Sequence, residues 1–333
     1  MSYDPQTPGG NAGPRTGVVN ASGTSARDVR AAIPAFINPK AGSAEQIEEA
    51  LKESGGFDLR PPDERDFAIA LREELERGTT RILVAGGDGT VRSAAEVVAG
   101  TTVELAIIPG GTLNHFAKFH EIPEDPKEAA STAAGGVTKQ ADAAYVNDSL
   151  FLNTSSVGAY VKFVRVRERL EKLHIPYAIA SLVAVLRTLV WLRTFRITLN
   201  VDGVRREIDT PLVFIAVGER EMQFPTLGDH KEGGARGLHI VVIEGRGRAR
   251  LMLMSAAIVA RGADGTTRAP ASGVQSFMSE SLRIDTRRAR VGVALDGEIK
   301  EIGDPLEYRF ARDTLTVIVP GAGDRNNSRS GEG

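Results

Sequence analysis

The stretch Ile82-Leu83-Val84-Ala85-Gly86-Gly87-Asp88-Gly89-Thr90 constrains this chain more than any other. Four apolar residues without a polar break, bounded by glycines, read as a strand buried on both faces, the habit of a parallel sheet. Val91 to Ala99 then reads as a helix. Glycine lacks a Cβ, so the turn between them can take positive φ and let a ligand approach the backbone. The first N–H groups of the helix have no intrahelical partner and point back at that turn, a setting that attracts phosphate. A tight turn with no ligand accounts for the same residues, and the stretch alone does not separate the two.

The same device recurs. Ile33 to Ile37 is a strand ending in the turn cluster Asn38-Pro39-Lys40-Ala41-Gly42. Ser43 and Gln46 have the spacing of a capping box for a helix to about Lys52. Phe57 to Leu59 reads as a short strand. Asp63 is placed to cap a helix carrying Phe67, Leu71 and Leu75, which Gly78 ends. Glu104 to Ile108 is a further strand, and it runs into Pro109-Gly110-Gly111-Thr112 and a helix from Leu113. Strand and helix alternate, so a parallel sheet with helices on both faces is expected. Three turns would then lie at the carboxyl edge of one open sheet, where such sheets bind ligands. None of them matches a P-loop or a dinucleotide fingerprint.

Beyond about Ala141 the pattern changes to short strands, expected at 195–201, 205–208, 212–217, 239–243, 281–286, 290–295 and 314–319, with a hairpin about Asn147-Asp148. One apolar and basic helical insert stands at about 161–192. The expected fold is an α/β N-terminal domain with an open parallel sheet, joined to an antiparallel β-rich C-terminal domain with a helical insert. The expected boundaries are a disordered tail at 1–31, an α/β domain at 32–143, a β-rich domain at 144–320 and a second tail at 321–333. The tails are rich in Gly, Pro and small polar residues, which cannot offset the entropy of ordering.

Composition narrows the function. The 333 residues carry a formal net charge of −2, which argues against a nucleic-acid binder. There is no cysteine, so disulfides and thiolate metal sites are excluded. No apolar run reaches the roughly 18 residues of a membrane span, and the first residues lack a signal-peptide pattern. A cytoplasmic chain is expected, with peripheral attachment to the inner membrane face allowed by the insert. Residues 162 to 196 hold eight Lys/Arg against two Glu, and each basic residue near an anionic membrane is worth about 1 kcal/mol. Apolar residues of the same segment, such as Ile175, Leu182 and Trp191, could line an acyl-chain groove; plain core packing is the favoured alternative. A homodimer is equally allowed.

Taken together, Asn38–Gly42, Gly86–Thr90, Gly110-Gly111-Thr112-Leu113-Asn114-His115-Phe116-Ala117, Asn153-x-x-x-x-Gly158 and Leu295-Asp296-Gly297-Glu298 resemble the diacylglycerol kinase catalytic-domain superfamily, the bacterial lipid kinase branch that is similar to sphingosine kinases. The resemblance runs from residue 33 to about 319. It implies ATP on the N-terminal domain, a lipid hydroxyl acceptor in a cleft, and Mg²⁺-assisted transfer of the γ-phosphoryl group. By position, Asn38, Pro39, Lys40, Ala41, Gly42, Gly86, Gly87, Asp88, Gly89, Thr90, Gly111, Thr112 and Asn114 would hold the nucleotide. Glu298 would be the general base, with Asp296 in the same acidic site. Asp88 is an oxygen ligand suited to Mg²⁺, although an Asx turn would use it as well.

Two segments depart from the pattern. Arg236 stands where the family's structural Mg²⁺ site has an acid, and arginine cannot ligate a cation. Either Asp229 or Glu232 replaces it or that site is absent, and absence is favoured. Gly218-Glu219-Arg220-Glu221-Met222 replaces a glycine-rich pattern near the acceptor pocket. His115 stands where many members have Asp, and it is expected to be a packing residue at a helix start. Two other functions share these motifs: an NAD kinase, through Gly-Gly-Asp-Gly-Thr, and a degenerate nucleotide-binding regulator.

Overall fold

The computed structural model describes residues 32–60, 67–161, 164–166, 183, 194–221, 229–244 and 274–321. The expected tail at 1–31, nearly all of that at 321–333, the Asp63 cap, Met222 and nearly all of the insert lie outside them.

Ile33–Ile37 (β1), Phe57–Arg60 (β2), Arg81–Gly86 (β3) and Glu104–Pro109 (β4) pair in parallel in the order β2-β1-β3-β4. The helices between them are Ala44–Ser54 (α1), Phe67–Glu76 (α2) and Asp88–Val98 (α3). Strand side chains alternate between faces, and the core divides accordingly. Ile82, Val84, Leu105 and Ile107 pack with Val91, Ala95 and Val98 of α3 on one side. Leu83, Ala85, Ala106 and Ile108 pack with Ile47 and Leu51 of α1 on the other. Residues 91, 94, 95 and 98 of α3 are all buried, the i, i+3, i+4, i+7 stripe of a helix lying on a sheet.

The capping box expected at Ser43 does not form: its side chain makes no cap hydrogen bond, and its carbonyl accepts from the Ile47 N–H instead. His115–Phe119 (α4) and Pro126–Gly135 (α5) follow β4. Asp125 caps α5 by accepting from the N–H groups of Lys127 and Glu128, both at 3.0 Å. The Asp125-Pro126 pair is the sequence signal of this helix start.

The rest of the described chain is strand: Val137–Val146 (β5), Ser149–Phe151 (β6), Thr154–Gly158 (β7), Phe195–Val201 (β8), Val204–Thr210 (β9), Leu212–Val217 (β10), Leu238–Ile243 (β11), Val274–Ser279 (β12), Ser281–Asp285 (β13), Arg290–Leu295 (β14), Glu298–Gly303 (β15) and Leu306–Val319 (β16). Strands β12-β11-β10-β7-β14-β15 form an antiparallel sheet of six. The remaining strands do not form a separate sheet. They extend the parallel one, in the order β4-β16-β13-β8-β9, with β5 and β6 alongside.

The seam is β16. Its second half pairs in parallel with β4 at Thr316 and Val317, and its first half pairs antiparallel with β13. A bulge between Ala311 and Leu315 separates the halves, with Asp313 at φ 47°. A third core fills the space between the two sheets, from Ile197, Leu282, Leu306 and Tyr308 on one to Val213, Ile240 and Val293 on the other. No described helix is long and apolar enough to cross a membrane.

Candidate active site

The turns after β1, β3 and β4 converge at one edge, as their order in the parallel sheet requires. Asn38 is fixed there by its N–H to the Ala85 carbonyl (2.9 Å), by accepting the Lys40 N–H (3.0 Å), and by donating its amide to Thr90 Oγ1 (2.8 Å). Thr90 therefore ties the first turn to α3. Gly86 must be glycine, because a Cβ there would lie 2.8 Å from Thr90 Cβ. The second and third turns touch through backbone alone: a Cβ on Gly111 would lie 2.6 Å from Gly87 Cα.

Asn114 takes the left-handed conformation, φ 50°, at the start of α4. Its side chain accepts from Gly111 N–H (2.9 Å) and donates to Gly111 C=O (2.8 Å). Gly111 N–H is thereby occupied, as is Gly110 N–H by the Gly86 carbonyl. Unpaired donors for an anion belong to the first turn of α3, where helix geometry leaves them.

A cavity of about 530 Å³ opens at this edge. Asn38, Pro39, Lys40, Ala41, Gly87, Gly89, Thr90, Gly111 and Glu298 line it. Gly42, Gly86, Asp88, Thr112, Asn114 and Asp296 do not. Gly86 and Asn114 shape the turns from behind, and a Cβ on Gly42 would meet open space. Asp88 Oδ1 receives the Phe116 N–H at a long 3.4 Å, which leaves its carboxylate nearly free of protein donors. Arg60, Phe67 and Ser93 also line the cavity, and no motif pointed to them. Phe67 packs edge-on to Phe36 with centroids 6.1 Å apart. Arg60 bridges Asp58 and Glu74 at 3.0 and 3.1 Å, and its Nε is buried without a partner. Arg60 ends a parallel strand at this edge, and that position was the available signal.

Glu298 arrives from the other sheet. Asp296 and Gly297 make the tight turn between β14 and β15, with φ 47° and 89°. The turn delivers Glu298 against Gly89, where a Cβ would collide with Glu298 Oε1. Glu298 Oε2 is held by Arg92 of α3.

Asp296 differs from expectation. It is half-buried, and its two oxygens accept from the N–H groups of Leu152, Asn153 and Thr154 at 2.8, 2.8 and 2.9 Å. Burial pushes its carboxyl upward and these three donors pull it back. It braces the β6–β7 loop rather than facing a ligand, because every lone-pair direction it needs is already spent on backbone. Asp296→Ala would orphan the three buried N–H groups, and a loss of about 3 kcal/mol in urea unfolding is expected.

A larger hollow of about 850 Å³ lies between α4 and residues 217–236. Arg236 reaches from it to both oxygens of Asp142 and, at 2.6 Å, to Asp313. Its charge is therefore committed to two carboxylates. Asp229 and Glu232 are exposed. Glu219 accepts from Lys231 Nζ and Ala235 N–H, while Arg220 is buried with its N–H on His239 Nδ1. Of the basic insert, Arg165 pairs with Glu301, and Arg196 donates to Asp209 at 3.0 and 3.2 Å. His115 is exposed rather than packed, because the first residue of α4 points off the sheet.

His120 and His230 flank Phe119 in the same hollow, with centroids 4.9 and 3.5 Å away. Burial, then Lys139, lowers His120 to about 3; burial, then Arg220, lowers His230 to about 3. Their neutral forms favour the fold. That contribution is complete above pH 6.5 and drains as pH falls from there towards 3. For His120 the slope reaches about 1.4 kcal/mol per pH unit. Urea midpoints at pH 7 and pH 5 should differ, and His120→Phe should flatten the difference.

Together these features define an α/β protein whose glycine turns line a cavity faced by a carboxylate from a second sheet. Residues 33–146 match the family model of the diacylglycerol kinase catalytic domain, so the resemblance read from the motifs is confirmed over that stretch. A diacylglycerol kinase of Mycobacterium tuberculosis is 33% identical over 125 residues, covering 35% of this chain and 40% of that protein. A protein of Pseudomonas putida named "Probable lipid kinase YegS-like" is 42% identical over 113 residues, 32% of this chain and 38% of its own. The match thus spans two fifths or less of these relatives. The fold is shared with the crystal structure of a diacylglycerol kinase from Bacillus anthracis, at a TM-score of 0.61 and 21% identity, covering 88% of this chain and 98% of that one.

Proposed function

We propose that this chain is an ATP- and Mg²⁺-dependent kinase that phosphorylates a hydroxyl of diacylglycerol or a related lipid. The observation that carries it is the contact of Glu298 with Gly89, which sets a carboxylate at the rim of the glycine-turn cavity. Phosphoryl transfer asks for positioning and charge neutralisation more than for covalent help. The backbones at Gly87 and Gly111 can touch because neither carries a Cβ, which brings the second and third turns to one cavity, and the start of α3 at Asp88 and Gly89 supplies helix N–H groups suited to a phosphate chain. Lys40 brings a cation to the same cavity.

Among the described residues no three His, Cys, Asp or Glu cluster as a protein-only metal site. Mg²⁺ commonly binds one or two carboxylates and takes its other ligands from phosphate and water, so Asp88 fits it. The ion, when bound, would neutralise charge on the transferring phosphate. Glu298 accepts the proton of the attacking hydroxyl.

The test is transfer of label from γ-labelled ATP with Mg²⁺ to dioctanoylglycerol in mixed micelles, beside a parallel reaction with NAD. Label in the lipid supports the proposal. Label in NAD, or ATP binding without transfer, overturns it.

A further inference from the structure

Glu298 belongs to β15, the edge strand of the six-stranded sheet, yet it is not left to itself. Residues 298 and 300 share one face of that strand, by its period of two, and residues 92 and 96 share one face of α3, one turn apart. The two faces meet with charges in opposing order. Arg92 Nη2 binds Glu298 Oε2, and Lys300 Nζ comes to 3.8 Å from Glu96, which is itself 3.8 Å from Arg92 Nη1. Arg92 is only 4% exposed, and its Nε and Nη1 are buried without a hydrogen-bond partner among the described residues. A buried guanidinium is costly unless it is paired, and Glu298 is its close partner. Arg92 does not line the cavity.

We infer that Arg92 is a positioning residue for the base. It occupies Glu298 Oε2 and so leaves Oε1, the oxygen above Gly89, as the one that receives the proton. This rests on the kinase reading above. In the step it serves, the acceptor oxygen bonds to the γ-phosphorus, its proton passes to Oε1, and the bond from that phosphorus to the β-phosphate oxygen breaks to release ADP. A guanidinium suits the task because it is always charged, and here it holds the carboxylate through Nη2 alone.

The experiment uses the full chain as wild type, Arg92→Met, Arg92→Lys, Glu298→Gln and Arg92→Met/Glu298→Gln. Two readouts are taken: kcat and KM for lipid phosphorylation, and carbodiimide labelling of Glu298 followed by mass spectrometry. Arg92→Met should lose about 30-fold in kcat with KM for ATP nearly unchanged, and the double variant should be no worse than Glu298→Gln, as for groups acting as a unit. Arg92→Lys should recover most of the rate. Labelling of Glu298 should rise about fivefold in Arg92→Met, because the oxygen that the guanidinium covers is then open to carbodiimide. A rate within twofold of wild type, or additive losses in the double variant, would sink the inference. If wild type transfers nothing to lipid, the kinase reading fails by itself. Labelling still decides the pairing: an unchanged level overturns it and a rise upholds it.

Discussion

Glu298→Gln is expected to lower kcat for lipid phosphorylation by about 100- to 10,000-fold, the usual contribution of a positioned general base. The amide keeps the size of the side chain and keeps an oxygen for Arg92, so the hairpin at 296–297 should stay docked on α3. Affinity for ATP, read by titration calorimetry, should change little, because the cradle is built from residues 38–41, 87–90 and 111 rather than from the carboxylate. If lipid phosphorylation survives in this variant, Glu298 is not the base.

Gly111→Ala acts on the other side of the same cavity. Its Cβ would lie 2.6 Å from Gly87 Cα and 2.9 Å from Asn114 Oδ1. Both neighbours are fixed, the first by the backbone of the β3 turn and the second by its two hydrogen bonds to Gly111 itself. The two turns must therefore separate, at a cost of about 1–3 kcal/mol of stability. ATP binding should fall at least tenfold, because the donors at the start of α3 lose their register with the third turn. Gly42→Ala is the matched control: open space surrounds that position, and stability should stay within about 0.5 kcal/mol of wild type. Thermal unfolding with and without MgATP checks both variants, and an equal response from the two would refute the steric account.

The parallel half of the fold was legible because each element carries its own period. Apolar runs at 82–85 and 104–108 end in glycines, and the stripe at 91, 94, 95 and 98 follows directly. Many antiparallel strands were legible one by one, but β7, β12, β15, most of β5 and the first half of β16 escaped. Val274–Ser279 and Glu298–Gly303 are half-polar edge strands, and the strand each pairs with defines it better than its own pattern does. That β16 would join the two halves is a property of pairing, which no local window contains.

The site divides in the same way. Glycines announce turns, so the cradle could be read, but the tasks of Gly111 and Asp296 could not. Whether a backbone N–H faces a ligand or an asparagine three residues on depends on the conformation that the loop takes in the fold. Arg60 and Arg92 were unreadable for a plainer reason: an arginine on a strand end or a helix looks the same whether solvent or a carboxylate from another element meets it.

The long strand β16 also sets an order of events. β4 has β3 on one side from the moment residue 109 is made, but its other side waits for residues 316 and 317. On the ribosome, which adds about 5–20 residues each second, the nascent α/β half therefore presents an open parallel edge for on the order of ten to forty seconds. An open edge of this kind is a template for pairing with other chains. Fragments that stop short of residue 306 should then be more prone to aggregate than their apolar content suggests, and the cradle at 86–111 should become competent to bind nucleotide only after nearly the whole chain has emerged.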